Sequence, residues 1–481
     1  MSGGCLMSGP ELRTISLYAS EAKVYPRAVH GWFAFWRWTL VWATQLLFYG
    51  LPWLNWNGRQ AVLFDLDARR FLIFDLILYP QDFIYLTALL VVSAFGLFFF
   101  TAVAGRLWCG YACPQTVYTE IFLWIERHTE GDRAARIRLD KEGWSIRKLG
   151  RKTAKHAAWL AVSLWTGFTF VGYFEPIRML GENAMLAALS GWEIFWILFY
   201  GFATYGNAGY LREQVCKYMC PYARFQSAML DRDTLIISYD VERGDPRGPR
   251  SKKADLSTVG LGACVDCQQC VHVCPTGIDI RKGLQYECIG CAACIDVCND
   301  VMDKFGYPRG LIRYATQNGM QHRWSTGRQW RRVLRPRVLI YGAILLAVST
   351  ALVWSLAVRL PFKVDVVRDR ASLAREVEDG VVENVYRLQV MNAAESTQVF
   401  ALDVDGIAGL RVASPQGRLT LAPAEARWVT VSLRLPPEQA RRLGPGVHPM
   451  RFSIRQVATA GQHGGGEARE LLEKSTFVVP R

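Results

Sequence analysis

Apolar and polar positions follow two rhythms along this chain. Up to residue 358 the apolar residues gather in long runs; beyond it, short runs alternate with a period of two. Five runs come near the roughly 20 residues that a bilayer crossing takes: 38–54, 83–104, 157–174, 192–208 and 338–358. Trp53, Trp56, Tyr85, Tyr173 and Trp192 crowd their ends, as residues of an interfacial aromatic belt do. Nothing charged interrupts residues 339–358. The alternating runs 382–390, 398–404, 427–435 and 450–457 predict strands. Turn-rich breaks separate them at Asp405-Gly406, Pro415-Gln416-Gly417 and Pro436-Pro437. The predicted fold is a polytopic α-helical membrane protein with a C-terminal, immunoglobulin-like β-sandwich. That last region holds no Cys, so the inter-sheet disulfide of antibody-type domains is not expected.

Charge gives the runs a direction. Hydrophobic residues make up 51% of the chain, yet the formal net charge is +14; apolar spans with basic flanks reconcile the two. Arg127, Arg133, Arg136, Arg138, Lys141, Arg147, Lys148, Arg151, Lys152 and Lys155 lie between the second and third spans. Arg323, Arg328, Arg331, Arg332, Arg335 and Arg337 precede the fifth. The loops holding Asp65, Asp67, Asp75 and Asp82, and Glu175, Glu182 and Glu193, are acidic or balanced. Positive charge stays inside, so the N-terminus, the long basic loop and the segment before the fifth span are expected to be cytoplasmic. Five crossings place everything after residue 358 on the far side. The basic runs adjoin apolar spans, which favours topology over nucleic acid as their explanation. No cleavable signal peptide is expected, because the first apolar run is late, long and aromatic. Cys5 reads as incidental.

Eight of the thirteen cysteines repeat one phrase. Cys264, Cys267, Cys270 and Cys274 form a C-x2-C-x2-C-x3-C run, and Cys288, Cys291, Cys294 and Cys298 form another. This is the ligand spacing of a bacterial two-cluster ferredoxin, in which the fourth Cys of each run ligates the other cluster. On that rule Cys264, Cys267, Cys270 and Cys298 hold one [4Fe–4S] cluster. Cys288, Cys291, Cys294 and Cys274 hold the second. Zinc modules separate two short ligand pairs by a longer gap, and a disulfide framework needs an oxidising compartment. The domains read as a cytoplasmic leader (1–37), a four-span region (38–230), a two-cluster ferredoxin domain (241–320) entered through a linker over 241–253, a fifth span (338–358) and a sandwich (360–481).

Four further cysteines form two C-x3-C-P units, Cys109/Cys113 after the second span and Cys216/Cys220 after the fourth. Each second Cys precedes a Pro that opens an amphipathic helix, over 115–127 and 222–230. Pro favours the first helical position, so Cys113 and Cys220 are expected as N-caps with depressed thiol pKa values. Four thiolates brought together would suit Cu(I), zinc or an iron–sulfur cluster; a redox dithiol is a further possibility.

The stretches GRLWCGYACPQTV around Cys109 and Cys113, EQVCKYMCPYARFQSAM around Cys216 and Cys220, and CVDCQQCVHVCPTGIDIR from Cys264 resemble the cytochrome c oxidase accessory protein family, CcoG, FixG or RdxA. The resemblance runs nearly the whole chain. It implies a membrane polyferredoxin of the bacterial inner membrane that reduces Cu(II) to Cu(I) for assembly of a cbb-type cytochrome c oxidase. It further implies oxidase-assembly and copper-transport partners, with Cys109, Cys113, Cys216 and Cys220 handling copper. Asn299 follows Cys298 where many ferredoxin runs have Pro, a change of cluster environment with the ligand intact. Two other functions compete: an electron conduit from quinol to a periplasmic nitrate or nitrous-oxide reductase, and an assembly scaffold with structural clusters. The electron donor is not legible. No Rossmann glycine fingerprint is visible, so NAD(P)H would need a partner protein.

Histidine bears on haem. His30, His128, His156, His272, His322, His448 and His463 all lie outside the apolar spans, and no haem is expected. His272 reads as packing beside a cluster. His448 and Met450 read as ordinary loop and strand positions, with contact to far-side copper the lesser alternative.

Overall fold

The computed structural model describes residues 23–252, 260–369, 374–415, 418–457 and 469–480. Cys5, His463 and the turn residues Gln416 and Gly417 lie outside the described residues. The helical part runs α1 (Trp32–Gly50), α2 (Phe83–Ala104), α3 (Leu107–Tyr111), α4 (Pro114–Glu130), α5 (Arg133–Lys141), α6 (Ile146–Val171), α7 (Ile177–Met185), α8 (Gly191–Thr204) and α9 (Pro221–Met229).

Each apolar run lies on a helix, with bounds that local chemistry shifts. α1 starts early because the Asp296 carboxylate accepts the N–H groups of Phe33 (3.2 Å) and Ala34 (2.8 Å), two donors that a helix start leaves orphaned. α6 starts at Ile146, where the Ser145 side chain accepts from the Lys148 N–H. The basic run from Arg147 to Lys155 therefore forms its first turns. The fourth run is α-helical only over Gly191–Thr204 and continues as a π-helix, Tyr205–Leu211.

By length and composition, two helices among the described residues are apolar enough to cross a membrane, Pro80–Ala104 and Pro336–Ala357, where the sequence suggested five. α1 carries buried Arg37 and Gln45, α6 opens on cations and α8 has only 14 residues. α6 and α8 pack backbone to backbone. A Cβ on Gly167 would fall 2.2 Å from the Ile197 carbonyl, so only a small residue allows that approach.

The connection between α1 and α2 is folded. Asn55–Trp56 pairs with Arg59–Gln60, and Val62–Asp65, Arg70–Ile73 and Leu76–Leu78 form an antiparallel sheet. Its apolar face, Leu63, Leu72, Ile77 and Tyr79, packs against Met391, Ala393 and Ala424 of the C-terminal domain. Arg70 donates to the Ala424 carbonyl (2.8 Å) and the Tyr79 hydroxyl to that of Asn392 (2.9 Å).

The C-terminal domain is a two-sheet antiparallel sandwich. One sheet orders Arg411–Ser414, Ala426–Leu435, Val382–Asn392 and Phe362–Arg368; the other orders Arg418–Leu421, Gln398–Asp405, Gly446–Val457 and Glu470–Val479. Phe362, Tyr386, Phe400, Leu433, Phe452 and Phe477 fill the space between them. Each of the four alternating runs is a strand here. Met450 is buried in this core, and the His448 ring bonds the Gly444 carbonyl (2.9 Å), the structural places the sequence favoured.

The Cys-rich domain closes where strand Ile236–Tyr239 pairs antiparallel with Ile312–Ala315. Residues 241–252 are not the free linker that their Gly and Pro content suggested. They form a short helix, Val241–Gly244, and then line the first Cys loop. Gly262, Ala263 and Cys264 donate to the carbonyls of Pro246 (2.7 Å), Arg243 (2.8 Å) and Gly244 (3.2 Å).

Candidate functional site

The two Cys runs wind alike. Asp266 and Gln268 in the first, and Gly290 and Ala292 in the second, have left-handed φ of 51°, 53°, 71° and 59°. These are the same two positions in each C-x2-C-x2-C loop. Left-handed residues alternating with ordinary ones turn successive N–H groups to one side, the nest in which many iron–sulfur sites are built. The third Cys of each run enters a helix, Cys270 in Gln269–His272 and Cys294 in Ala293–Phe305.

The fourth Cys of each run crosses over. Burial pushes the Cys298 thiol up to about 12, and Cys270, Cys264 and Cys267 beside it add to the rise. Burial also pushes Cys288 up to about 12, eased by the Gly290 N–H and reinforced by Cys291 and Cys274. Cys294 is raised well above the usual thiol range by burial, then by Cys291, Cys288, Cys274 and Cys270. The thiols gather as 264, 267, 270 and 298, and as 288, 291, 294 and 274. Ligands must lose their protons when metal binds, which would relieve this crowding. Among the described residues no three His, Cys, Asp or Glu side chains form a site for a single ion. A cubane asks for a different arrangement, four thiolates around a cage, and nest, burial and grouping fit it.

Cys109 lies in α3 and Cys216 in a π-helix, Val215–Met219. Cys113 and Cys220 are the N-caps of α4 and α9, with Pro114 and Pro221 at the first helical positions, the places expected. The depressed pKa expected of Cys113 is overturned. Burial raises it, although the N–H groups of Thr116 and Gln115 favour the thiolate. Burial likewise pushes Cys109 up to about 12, with Cys113 and Cys216 adding, and Cys216 up to about 11, with Cys113 and Cys220 adding. Desolvation of a buried thiol outweighs the amides of one helix turn. The thiols of the two distant units thus act on one another, and Cys109 and Cys216 reach the same apolar cluster.

This group abuts the second Cys loop. Cys109 and Cys216 pack against the apolar cluster of Val273, Ile289, Cys291, Ala293 and Val297. Gly110 meets the Gly290 peptide, where an added Cβ would be 2.8 Å from its carbonyl oxygen. Arg106, 9% exposed, donates to the carbonyls of Tyr286, Cys288 (3.3 Å) and Ala223 (3.1 Å). Gln226 is fully buried, accepts from Cys109 Sγ (3.6 Å) and donates to the Gly105 carbonyl (3.0 Å). The Tyr314 hydroxyl donates to the Gly290 carbonyl (2.7 Å). Sequence reasoning missed Arg106, Gly110, Gln226 and Tyr314; closeness to a C-x3-C-P unit was the only signal of the first three, and Tyr314, well beyond Cys298, carried none. The two ferredoxin loops differ in access, since Cys267 is exposed and its counterpart Cys291 is buried. His272 lies in the helix after the first loop, and its carbonyl accepts the Arg27 N–H (2.8 Å).

Residues 211–317 match the family model of a 4Fe-4S dicluster domain and residues 86–130 that of a 4Fe-4S binding domain. Residues 352–480 match the IG-like fold at the C-terminal of FixG, whose description places FixG among candidate oxidoreductases. The nitrogen fixation protein FixG of Rhizobium meliloti is 39% identical over 452 residues, covering 87% of this chain and 85% of FixG. The chain belongs to the FixG/RdxA family. Protein RdxA of Cereibacter sphaeroides, also 39% identical, aligns over 405 residues, 82% of this chain and 85% of RdxA. A solved FixG-related protein from Vibrio parahaemolyticus covers 25% of this chain and 97% of its own, at 23% identity and a TM-score of 0.21. As a FixG-family chain the protein has iron–sulfur domains of the 4Fe–4S type and a C-terminal Ig-like sandwich. The two matched 4Fe-4S regions between them contain all twelve cysteines discussed above.

Proposed function

We propose that this FixG-family chain is an inner-membrane electron-transfer protein that reduces Cu(II) to Cu(I) for assembly of a cbb-type cytochrome c oxidase. Cys264, Cys267, Cys270 and Cys298 would hold one [4Fe–4S] cluster, and Cys288, Cys291, Cys294 and Cys274 the other. Bound there, such clusters supply one-electron transfer. Cys109, Cys113, Cys216 and Cys220 would receive the cupric ion as substrate, and soft sulfur favours the cuprous product.

The observation that carries the reading is the contact of Gly110 with Gly290, which sets the backbone of the first C-x3-C-P unit directly against the second Cys loop. The first loop, with Cys267 exposed, gives electrons an outer end to enter. Arg106 spans the seam between the two sets. Gln226 holds the Cys109 thiol by a hydrogen bond.

Support for the membrane comes from surface chemistry. α1, α2, α8 and helix Pro336–Ala357 point large apolar side chains outward, among them Trp42, Ile84, Phe202 and Leu346. Soluble proteins rarely expose so much contiguous apolar surface. Residues 55–82 and the sandwich dock together at one end of these helices. Residues 23–37 and α4–α5 gather with the Cys-rich domain at the other. That arrangement supports a cytoplasmic cluster domain and a periplasmic sandwich.

The match of residues 86–130 to a 4Fe-4S binding domain favours a second reading, in which Cys109, Cys113, Cys216 and Cys220 hold a third cluster. One anaerobic experiment separates the two. Reduced protein is given Cu(II) with a Cu(I)-specific chelator, beside a variant with all four cysteines changed to Ser, and iron is counted in both. Copper reduction lost while iron stays equal supports the copper site. Iron falling by a third in the variant supports a third cluster.

A further inference from the structure

Four arginines from four segments surround one small cavity. Arg27 precedes α1, Arg37 lies on α1, Arg127 on α4 and Arg136 on α5. Among the described residues Glu120 alone adds a carboxylate to the lining, which is left three charges positive. Two of the four arginines are engaged. Arg136 donates to Glu126 (2.6 Å) and to the Pro26 carbonyl, and Arg27 donates to Gln269 (2.5 Å). The other two are free to bind. The Arg127 side chain has no hydrogen bond or ion pair among the described residues. Arg37 is 6% exposed, makes no hydrogen bond among them and meets a single carboxylate, Glu120, at 4.0 Å. Its Nε is sealed in unpaired, whereas Nη1 and Nη2 are not sealed. A charge taken from water costs several kcal/mol unless it is paired and hydrogen-bonded, and a bound anion would offset that cost.

We propose that these arginines bind a free, phosphate-class oxyanion, which competes with an electron on the second cluster for Arg37. Planar guanidinium forks match the geometry of such an anion. Oxygen-sized atoms have about 20 Å³ in which to centre themselves in the cavity, against the roughly 10–15 Å³ that one water takes. That suits the oxygens of one small oxyanion and leaves no room for a nucleotide or a peptide. Water there would satisfy donors but not the surplus charge. Val273, Pro275 and Ala293 form the wall toward Cys274 and Cys294. Arg37 and Glu120 also line the next cavity, which holds Cys216 and Cys291. Burial raises the Cys291 thiol, and Arg37 is the charge that most opposes the rise. One guanidinium thus serves both sites. An electron added to the cluster makes it more negative by one charge and repels the anion, with no bond made or broken. The site itself stands apart from the copper chemistry, and its redox half rests on the two-cluster reading.

The test titrates full-length protein, detergent-solubilised, anaerobic and oxidised, with inorganic phosphate at constant chloride in a calorimeter. One saturable site is expected in wild type. Binding should weaken at least about tenfold in Arg127→Gln, which loses no internal bond, and in Arg37→Gln, the worth of one charged hydrogen bond. Unchanged iron content shows that both variants fold. Phosphate should also lower the potential of one cluster of wild type, read by electron paramagnetic resonance, and leave the other in place. A tenfold preference for the oxidised form shifts it by about 59 mV, and Arg37→Gln should abolish the shift. No saturable site, or equal binding in wild type and both variants, would overturn the proposal. Chloride displacing phosphate mole for mole would overturn the oxyanion. Phosphate binding that moves neither potential would overturn the redox half. Phosphatidylglycerol taken up from mixed micelles where inorganic phosphate is refused would overturn the free ion and give the same arginines to a lipid head group. None of these readouts uses copper, so a failure of copper reduction leaves them standing.

Discussion

Gly110 and Gly290 meet backbone to backbone across the seam between the C-x3-C-P units and the ferredoxin domain. A Cβ on Gly110 would stand 2.8 Å from the Gly290 carbonyl, and one on Gly290 would stand 2.9 Å from that of Arg106. Neither neighbour is a flexible side-chain end, so a larger residue must push the two thiol sets apart. Gly110→Val is expected to cost about 1–3 kcal/mol of stability, the usual price of overpacking, and to slow copper reduction by dithionite-reduced protein. Iron content should be unchanged. Undiminished copper reduction in a folded Gly110→Val protein would show that the seam is not the electron route.

Arg106 couples structure to potential. Its guanidinium serves three carbonyls and lies near the Cys288 thiol. Arg106→Gln removes a buried cation that favours the added negative charge of a reduced cluster. The reduction potential of the more buried cluster should fall, while that of the other moves little. Potentiometric titration followed by electron paramagnetic resonance reads both.

Acid should release the N-terminal segment. Asp140 accepts from Lys152 Nζ (2.6 Å), the Tyr25 hydroxyl (2.7 Å) and Lys23 Nζ (2.9 Å). Burial pushes its carboxyl up, but these three bonds outweigh burial and hold it well below its usual 3.8. The unfolded form therefore binds more protons in that window. The stabilisation is present above the ordinary aspartate range and is lost progressively as pH falls from there through the depressed folded-state value. Hydrogen exchange over residues 23–27 should quicken steadily as pH falls below roughly 4, and Asp140→Asn should abolish that acid dependence.

Asp82 fastens the folded α1–α2 connection to the C-terminal domain. It is 3% exposed and faces Arg359 (3.4 Å) and Lys363 (2.5 Å), while accepting the Tyr79 N–H (3.1 Å). Asp82→Ala leaves two cations without their partner, a loss of about 3–5 kcal/mol for a buried pair. Exchange in residues 62–79 should rise sharply. The sandwich core, which does not use Asp82, should keep its protection.

The ferredoxin loops and the sandwich were legible because their signals are local. The repeated Cys spacing dictates a loop winding, and period-two alternation dictates strands such as Val382–Asn392. The sheet at residues 62–78 was not legible. Its strands have three or four residues, too short for a period, and its core includes Met391 and Ala424 from a distant stretch. The early start of α1 depends on Asp296, and the raised thiol pKa values depend on burial. Both are tertiary facts. The contact of Gly110 with Gly290 joins residues far apart in sequence, and Gly110 looks like a spacer in its motif.

The central claim is that reducing equivalents leave the ferredoxin loops through the C-x3-C-P thiols. Rapid anaerobic mixing of dithionite-reduced protein with Cu(II), following cluster absorbance, tests it most directly in wild type and in Cys109→Ser/Cys216→Ser. The account predicts prompt reoxidation matched by Cu(I) in wild type, and reoxidation slowed at least about tenfold, a barrier of roughly 1.4 kcal/mol, in the variant with its clusters intact. Equal reoxidation in both proteins, or clusters that stay reduced beside Cu(II) in wild type, would contradict it.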